Sequence, residues 1–235
     1  LSMALGNDIH LLARFDPEEL LQAIETHKIS HMHVVPTMFV RMLRLPDAVK
    51  AKYDLSSLVH VIHGAAPCPP EVKRRMIEWW GDVIYEYYGS TEAGIVTVVN
   101  STDWKNKPGT VGQPLDGQKV TIYDDDGNEL GRGESGEIYM NLNDLSDFTY
   151  HNKADKRAEI ERDGMVTNGD VGYIDEDGYV YLNDRKRDMI ISGGVNIYPA
   201  EIEAALQDMP GVQDCAVFGI PHEDFGESIA AAIEP

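Results

Sequence analysis

The spacing of apolar residues changes along the chain, and the change divides it. Near the start, Leu20, Leu21 and Ile24 recur at helical spacing behind Asp16-Pro17-Glu18-Glu19. An aspartate cap, a proline in the first turn and acids at the positive end of the dipole predict a helix start there. His33-Val34-Val35-Pro36-Thr37-Met38 reads as a short buried strand broken by Pro36, with a helix following from Met38 to about Leu43. Tyr53 to Leu58 forms a turn into the strand Val59-His60-Val61-Ile62. Val72, Met76, Ile77 and Trp80 then share one face of a helix over 71–80, with Arg74, Arg75 and Glu78 on the other. Val83-Ile84 opens a further strand. Helix and strand in alternation are the rhythm of a parallel α/β sheet.

Beyond residue 95 the pattern becomes β. Val96 to Val99, Val120 to Tyr123 and Gly136 to Met140 are short strands without intervening helices, and Asp126-Gly127 and Asp177-Gly178 are hairpin dipeptides. Lys107-Pro108-Gly109-Thr110-Val111-Gly112 lacks the strand, helix and lysine of a phosphate loop and reads as a structural turn. Tyr179 to Leu182 and Met189 to Ile191 flank a charged connection, a place where two domains can pivot. Pro199 and Glu201 open a helix carrying Ile202, Ala205 and Leu206 inward, and Asp214 to Pro221 and Ile229 to Ile233 are strands. The expected class is α/β: an α/β part of a large domain over 1–95, a β-barrel-like subdomain over 96–184, a hinge at 185–190 and the start of a small α+β domain over 191–235.

Composition narrows the partners. The chain has 235 residues, longer than the common single domain, and a hydrophobic share of 43%, enough for a core. Forty acids face 20 lysines and arginines, a net charge of −20, which argues against a nucleic-acid or anionic-membrane surface. An anionic ligand must therefore be held locally, by backbone N–H groups, a cation and a few placed basic residues. Cys68 and Cys215 stand far apart and read as two reduced thiols of a cytoplasmic protein, with a bridge as the alternative. His31 and His33 alternate as in a zinc site, but no third ligand stands at a recognisable spacing. No apolar run approaches the ~18 residues of a membrane span.

The candidate chemistry is concentrated in four stretches. Tyr85-Glu86-Tyr87-Tyr88-Gly89-Ser90-Thr91-Glu92-Ala93-Gly94 reads as a strand running into a loop. It offers aromatic faces for a base, a glycine for close backbone approach, hydroxyls for anionic oxygens and a carboxylate for a hard cation. The bland alternative is a buried strand with an ordinary turn. His63-Gly64-Ala65-Ala66-Pro67 exposes backbone beside tiny side chains, for a flat ligand or a tight strand-to-helix turn. Asp170 in Asn168-Gly169-Asp170 suits either a ribose or a turn. Ser192-Gly193-Gly194 reads as a mobile loop.

Taken in this order, the four stretches resemble the adenylate-forming superfamily of AMP-dependent synthetases and ligases, in its acyl-CoA synthetase branch. The resemblance implies that Tyr88 stacks on adenine, that Thr91 meets the α-phosphate, and that Glu92 binds Mg2+. It extends nucleotide binding to Gly64, Ala65, Ala66, Pro67, Glu86, Tyr87, Gly89 and Ser90. Asp170 would bind ribose; the family has Thr-Gly-Asp where Asn168 here separates the threonine from the glycine. Arg185 would bind ribose or phosphate, and Arg187 would lie at the pivot, Asp184 replacing the family's glycine. Ser192, Gly193 and Gly194 would border the coenzyme A tunnel, and Pro36, Thr37 and Met38 the acyl pocket. The implied cofactors and partners are ATP, Mg2+, coenzyme A and a small carboxylic acid, with a homodimer as a candidate assembly. An adenylation domain that loads a carrier protein and a non-catalytic nucleotide-binding relative are the alternatives. The family's Ser/Thr/Gly-rich phosphate loop and adenylation lysine are expected upstream of Leu1 and beyond Pro235, so the chain is expected to be a fragment, inactive by itself.

Overall fold

The computed structural model describes residues 6–142, 147–207 and 209–235. Two compact units emerge, 1–85 and 86–235. The expected boundaries at 95 and 184 both lie within the second.

In the first unit, α1 (Pro17–His27) starts as the sequence predicts: the Asp16 carboxylate accepts from the N–H groups of Glu18 and Glu19 at 3.0 Å each, with Pro17 at the first helical position. β1 (His31–Val34) follows, then α2 (Pro36–Leu43). The expected strand through Pro36 to Met38 is therefore corrected. A proline fixes its own φ and lacks an N–H, so it suits the first turn of a helix, where no backbone acceptor is needed. α3 (Asp47–Lys50), β2 (His60–His63) and α4 (Pro70–Trp80) complete the unit, with β1 and β2 parallel. Its core gathers Leu21, Ile24, Phe39, Met42, Val61, Met76 and Ile77, all 5% exposed or less. The Phe39 ring meets Trp80 and His63 edge-on, at 6.1 and 5.2 Å between centroids.

β3 (Ile84–Ser90) crosses the division, and β4 (Gly94–Asn100) follows after a short turn. The second unit continues through α5 (Ser101–Asn106), β5 (Thr110–Pro114), β6 (Val120–Tyr123), β7 (Gly136–Asn141), α6 (Ala154–Glu159), β8 (Glu161–Arg162), β9 (Met165–Val166), β10 (Asp170–Ile174) and β11 (Val180–Arg185). Strand order is β4-β5-β11-β10-β7-β9-β8, with β6 also on β7 and these neighbours antiparallel. Tyr88, Val96, Ile122, Ile138, Met140, Val166 and Val180 form its core. Both Asp-Gly dipeptides sit in turns, with Gly127 at φ +89 and Gly178 at φ +87.

A second sheet closes the chain. β12 (Ile190–Ser192), β13 (Val195–Ile197), β14 (Asp214–His222) and β15 (Gly226–Glu234) run in the order β13-β12-β15-β14, and α7 (Pro199–Gln207) packs on β14. The start of α7 is capped from a distance: Asp184 Oδ2 accepts from Ala200 N at 2.9 Å, while Asp184 Oδ1 accepts from Arg185 N at 2.7 Å.

Candidate nucleotide site

The motif, expected as a strand running into a loop, is a strand for most of its length and ends in a turn. β3 carries Glu86, Tyr87, Tyr88, Gly89 and Ser90, and the turn is confined to Thr91, Glu92 and Ala93. Alternation explains why: Ile84, Glu86 and Tyr88 point into the protein, and Tyr85 and Tyr87 are half-buried between them. The turn is closed by Ala93 N donating to Ser90 Oγ at 3.0 Å, leaving Thr91 exposed and Glu92 half-buried at its tip. Gly89 has a packing reason to be glycine. A Cβ there would meet the carbonyl oxygen of Gly94 at 1.9 Å, so only a bare backbone lets β3 and β4 cross so closely.

Tyr88, expected to stack on adenine, is only 7% exposed with its ring in the core cluster, so what it offers the site is its hydroxyl. Its hydroxyl donates to Asp170 Oδ2 at 2.8 Å, joining residues 82 positions apart in sequence. The same oxygen accepts from Asn168 Nδ2 at 2.8 Å, and Arg185 Nε stands 3.5 Å from Asp170 Oδ1. Asp170 and Arg185 are register partners of the antiparallel pair β10–β11, so an opposite-charge pair is built into the sheet. The approach is held by further bonds: Gly169 N donates to Thr167 Oγ1 at 2.9 Å, Thr167 Oγ1 to Glu137 Oε1 at 3.1 Å, and Lys186 N to the Gly169 carbonyl at 2.7 Å.

Burial sets the electrostatics. It pushes the Asp170 carboxyl above its ordinary range, and the Tyr88 hydroxyl, the Arg185 charge and the Asn168 amide pull back. Burial also raises the Tyr88 phenol well above its usual value, and the charge on Asp170 adds to this. Tyr88 is thus a fixed donor at neutral pH. Arg185 remains half-exposed beside the carboxylate, its side chain 51% accessible. Arg187 faces solvent and pairs with its neighbour Asp188 at 3.5 Å.

At the turn, Glu92 Oε1 accepts from the Tyr150 hydroxyl at 2.7 Å. Sequence reasoning missed both Tyr150 and the bonding role of Asn168. Tyr150 lies 58 positions from Glu92 in an irregular segment, where no periodicity announces which residue it will face. Among the described residues, no group of three or more His, Cys, Asp or Glu side chains is arranged to hold a metal ion. The donor chemistry of Glu92, one carboxylate at a turn, fits a Mg2+ that brings its own phosphate oxygens and waters.

In the first unit, Gly64 is buried while Ala65, Ala66 and Pro67 are exposed, and Ala65 adopts φ +69, a left-handed conformation rare for a residue with a Cβ. Burial lowers the preceding His63 to about 2, helped by the charge of Lys73. Pro36, Thr37 and Met38 form the first turn of α2, with Pro36 buried and Thr37 exposed. In the second unit, Ser192, Gly193 and Gly194 form the β12–β13 hairpin rather than a loose loop. Both glycines have positive φ, and Gly193 N donates to the Phe225 carbonyl at 2.9 Å. Cys68 and Cys215 form no disulfide.

Comparison with known proteins gives consistent matches. A family profile described as AMP-binding enzyme matches residues 1–145, and one described as AMP-binding enzyme C-terminal domain matches 201–235. A long-chain-fatty-acid–CoA ligase of Bacillus subtilis is 39% identical over 99% of the chain. A feruloyl-CoA synthase of Amycolatopsis is 37% identical over 98%. The chain spans 41% and 46% of these two relatives' own lengths. Among solved structures, ATP-bound MatB from Rhodopseudomonas palustris superposes with a TM-score of 0.86 at 33% identity, over 99% of this chain and 45% of that one. The amide bond synthetase McbA from Marinactinospora thermotolerans gives 0.86 at 33%, over 95% and 46%.

Proposed function

Since the chain belongs to the AMP-binding enzyme family, we propose that its protein is an ATP-dependent acid–CoA ligase, in which a carboxylic acid is first joined to AMP and then passed to coenzyme A. What carries this reading is the convergence on Asp170: Tyr88, Asn168 and Arg185, drawn from three separate stretches, meet one carboxylate.

Each residue then has a role. The Asp170 carboxylate accepts from the ribose hydroxyls, and Tyr88 and Asn168 hold its orientation by donating to Oδ2. The half-exposed Arg185 guanidinium offers its remaining N–H groups to ribose or phosphate oxygens. The exposed Thr91 hydroxyl donates to the α-phosphate, and Glu92 is the carboxylate that would hold Mg2+. When bound, that ion neutralises charge on the phosphate oxygens. Acid and triphosphate are both anionic, so screening and alignment are most of the catalytic task. An oxygen of the acid bonds to the α-phosphorus as pyrophosphate leaves, and the thiol sulfur then bonds to the acyl carbon as AMP leaves, its proton passing to solvent. Ser192, Gly193 and Gly194 are proposed to border the thiol arm and Pro36, Thr37 and Met38 the acyl group, with Arg187 in the pivot between the two half-reactions.

Similarity to both a fatty-acid and a feruloyl ligase favours an acid with an extended apolar body, a fatty acid foremost. Two thiols without a disulfide accord with a cytoplasmic setting. Acid-dependent ATP–pyrophosphate exchange by the full-length protein tests the reading. Asp170→Ala and Thr91→Ala should each lower it about tenfold or more, the cost of losing a hydrogen bond to a charged group. Unchanged exchange in either variant removes that residue from the site, and absence of exchange with every aliphatic and aromatic acid tried rejects the ligase. AMP release with coenzyme A, a carrier protein or an amine as acceptor identifies the second half-reaction.

A further inference from the structure

Glu92 stands at the tip of a three-residue turn whose backbone is fixed by the Ala93–Ser90 bond and by the close crossing at Gly89. Its side chain is fixed as well, because the Tyr150 hydroxyl donates to Oε1 at 2.7 Å. Tyr150 is itself anchored. Its ring meets Phe148 edge-on at 5.5 Å between centroids, and the Arg157 guanidinium lies over the Phe148 ring at 4.8 Å. Arg157, whose side chain is only 12% accessible, ties the segment at both ends, pairing with Asp147 at 3.0 Å and Glu161 at 2.7 Å. A chain of contacts thus runs from α6 to one oxygen of one carboxylate.

We propose that Tyr150 is a positioning residue for metal capture. By donating to Oε1 it holds the Glu92 carboxylate in one rotamer, ready for a Mg2+ carried by ATP. The proposal rests on the reading of Glu92 as the metal-side carboxylate and assigns to that reading the partner that orients it. Mg2+ requires near-octahedral geometry and retains several waters, so it gains from one pre-aimed oxygen more than from a freely rotating carboxylate. Tyr150 donates to Glu92 and stays outside the reacting atoms.

The test is a Mg2+ titration of fluorescent ATP-analogue binding to the full-length protein, comparing wild type, Tyr150→Phe, Tyr150→Leu, Glu92→Gln and Glu92→Gln/Tyr150→Phe. Both Tyr150 variants should raise the half-saturating Mg2+ concentration about tenfold, the usual effect of losing an outer-shell partner. Analogue binding without metal and the melting temperature of Tyr150→Phe should stay at wild-type values. The double variant should match Glu92→Gln, since the hydroxyl acts through that carboxylate. An unchanged or lowered Mg2+ requirement in Tyr150→Phe, or additive effects in the double variant, overturns the proposal while Glu92 keeps its role. An unchanged requirement in Glu92→Gln removes the metal role of Glu92 and this proposal with it, and leaves the Asp170 reading standing.

Discussion

Asp170 concentrates the conflict between stability and binding at the scale of a residue. Its side chain is 12% accessible and its carboxyl is raised above its ordinary 3.8, chiefly by burial. A carboxyl raised in the folded state binds its proton more tightly folded than unfolded. The stability it contributes is complete below its unfolded value and is lost as pH rises through the folded one. At neutral pH the ionised group is therefore a strain on the fold. Asp170→Asn, which keeps an oxygen for Tyr88, should melt no lower than wild type at pH 7 while binding AMP much more weakly. AMP affinity of the wild type should also begin to fall, on acidification, at a higher pH than an unshifted aspartate allows; titration calorimetry across pH 4–7 checks both. The importance of Asp170 was legible from Gly169-Asp170 and its neighbours, whereas its bond to Tyr88 was not, because 82 intervening residues carry no local signal of the pairing.

Elements with strong end signals were readable. Asp16-Pro17 set the start of α1, Asp177-Gly178 set the β10–β11 turn, and Val120 to Tyr123 is β6 as expected. The two short helices α5 and α6 were missed because their sequences, Ser101–Asn106 and Ala154–Glu159, are polar and too short to show a period. In the sequence the β3–β4 hairpin shows only as a strand and a loop, because Gly89-Ser90-Thr91 carries turn-forming residues whichever strand they belong to. Its geometry makes Gly89→Ala the sharpest test of the hairpin: a Cβ 1.9 Å from the Gly94 carbonyl oxygen must push the strands apart. We expect a loss of about 3 kcal/mol in urea-monitored unfolding, at the upper end for overpacking. A loss within experimental error would mean that the strands do not cross as closely as described.

For the whole molecule, charge is the dominant fact. At −20 this chain repels the nucleotide it is proposed to bind, and Arg185, Lys186 and Arg187 are each already paired with a carboxylate. Salt screens the long-range repulsion more effectively than the close contacts at Asp170 and Thr91. Raising ionic strength from about 0.01 to 0.15 M, across which the Debye length falls from ~30 to ~8 Å, should therefore speed association of an ATP analogue in stopped-flow measurements; slowing would place net attraction at the site. Among the described residues no helix is long and apolar enough to cross a membrane. The α/β class was legible because the switch from helical to alternating periodicity is global. The division at residues 85 and 86 was not, because it falls inside one continuous strand.

The Asp184 carboxylate touches both sides of the charged turn at 186–188, gripping Arg185 N behind it and Ala200 N ahead of it. Were the proposed pivot to turn here, the Asp184–Ala200 bond would be the one to open, baring a helix terminus to water. The proposed swivel would accordingly be a ratchet with one tooth, and Asp184 would be what cuts it.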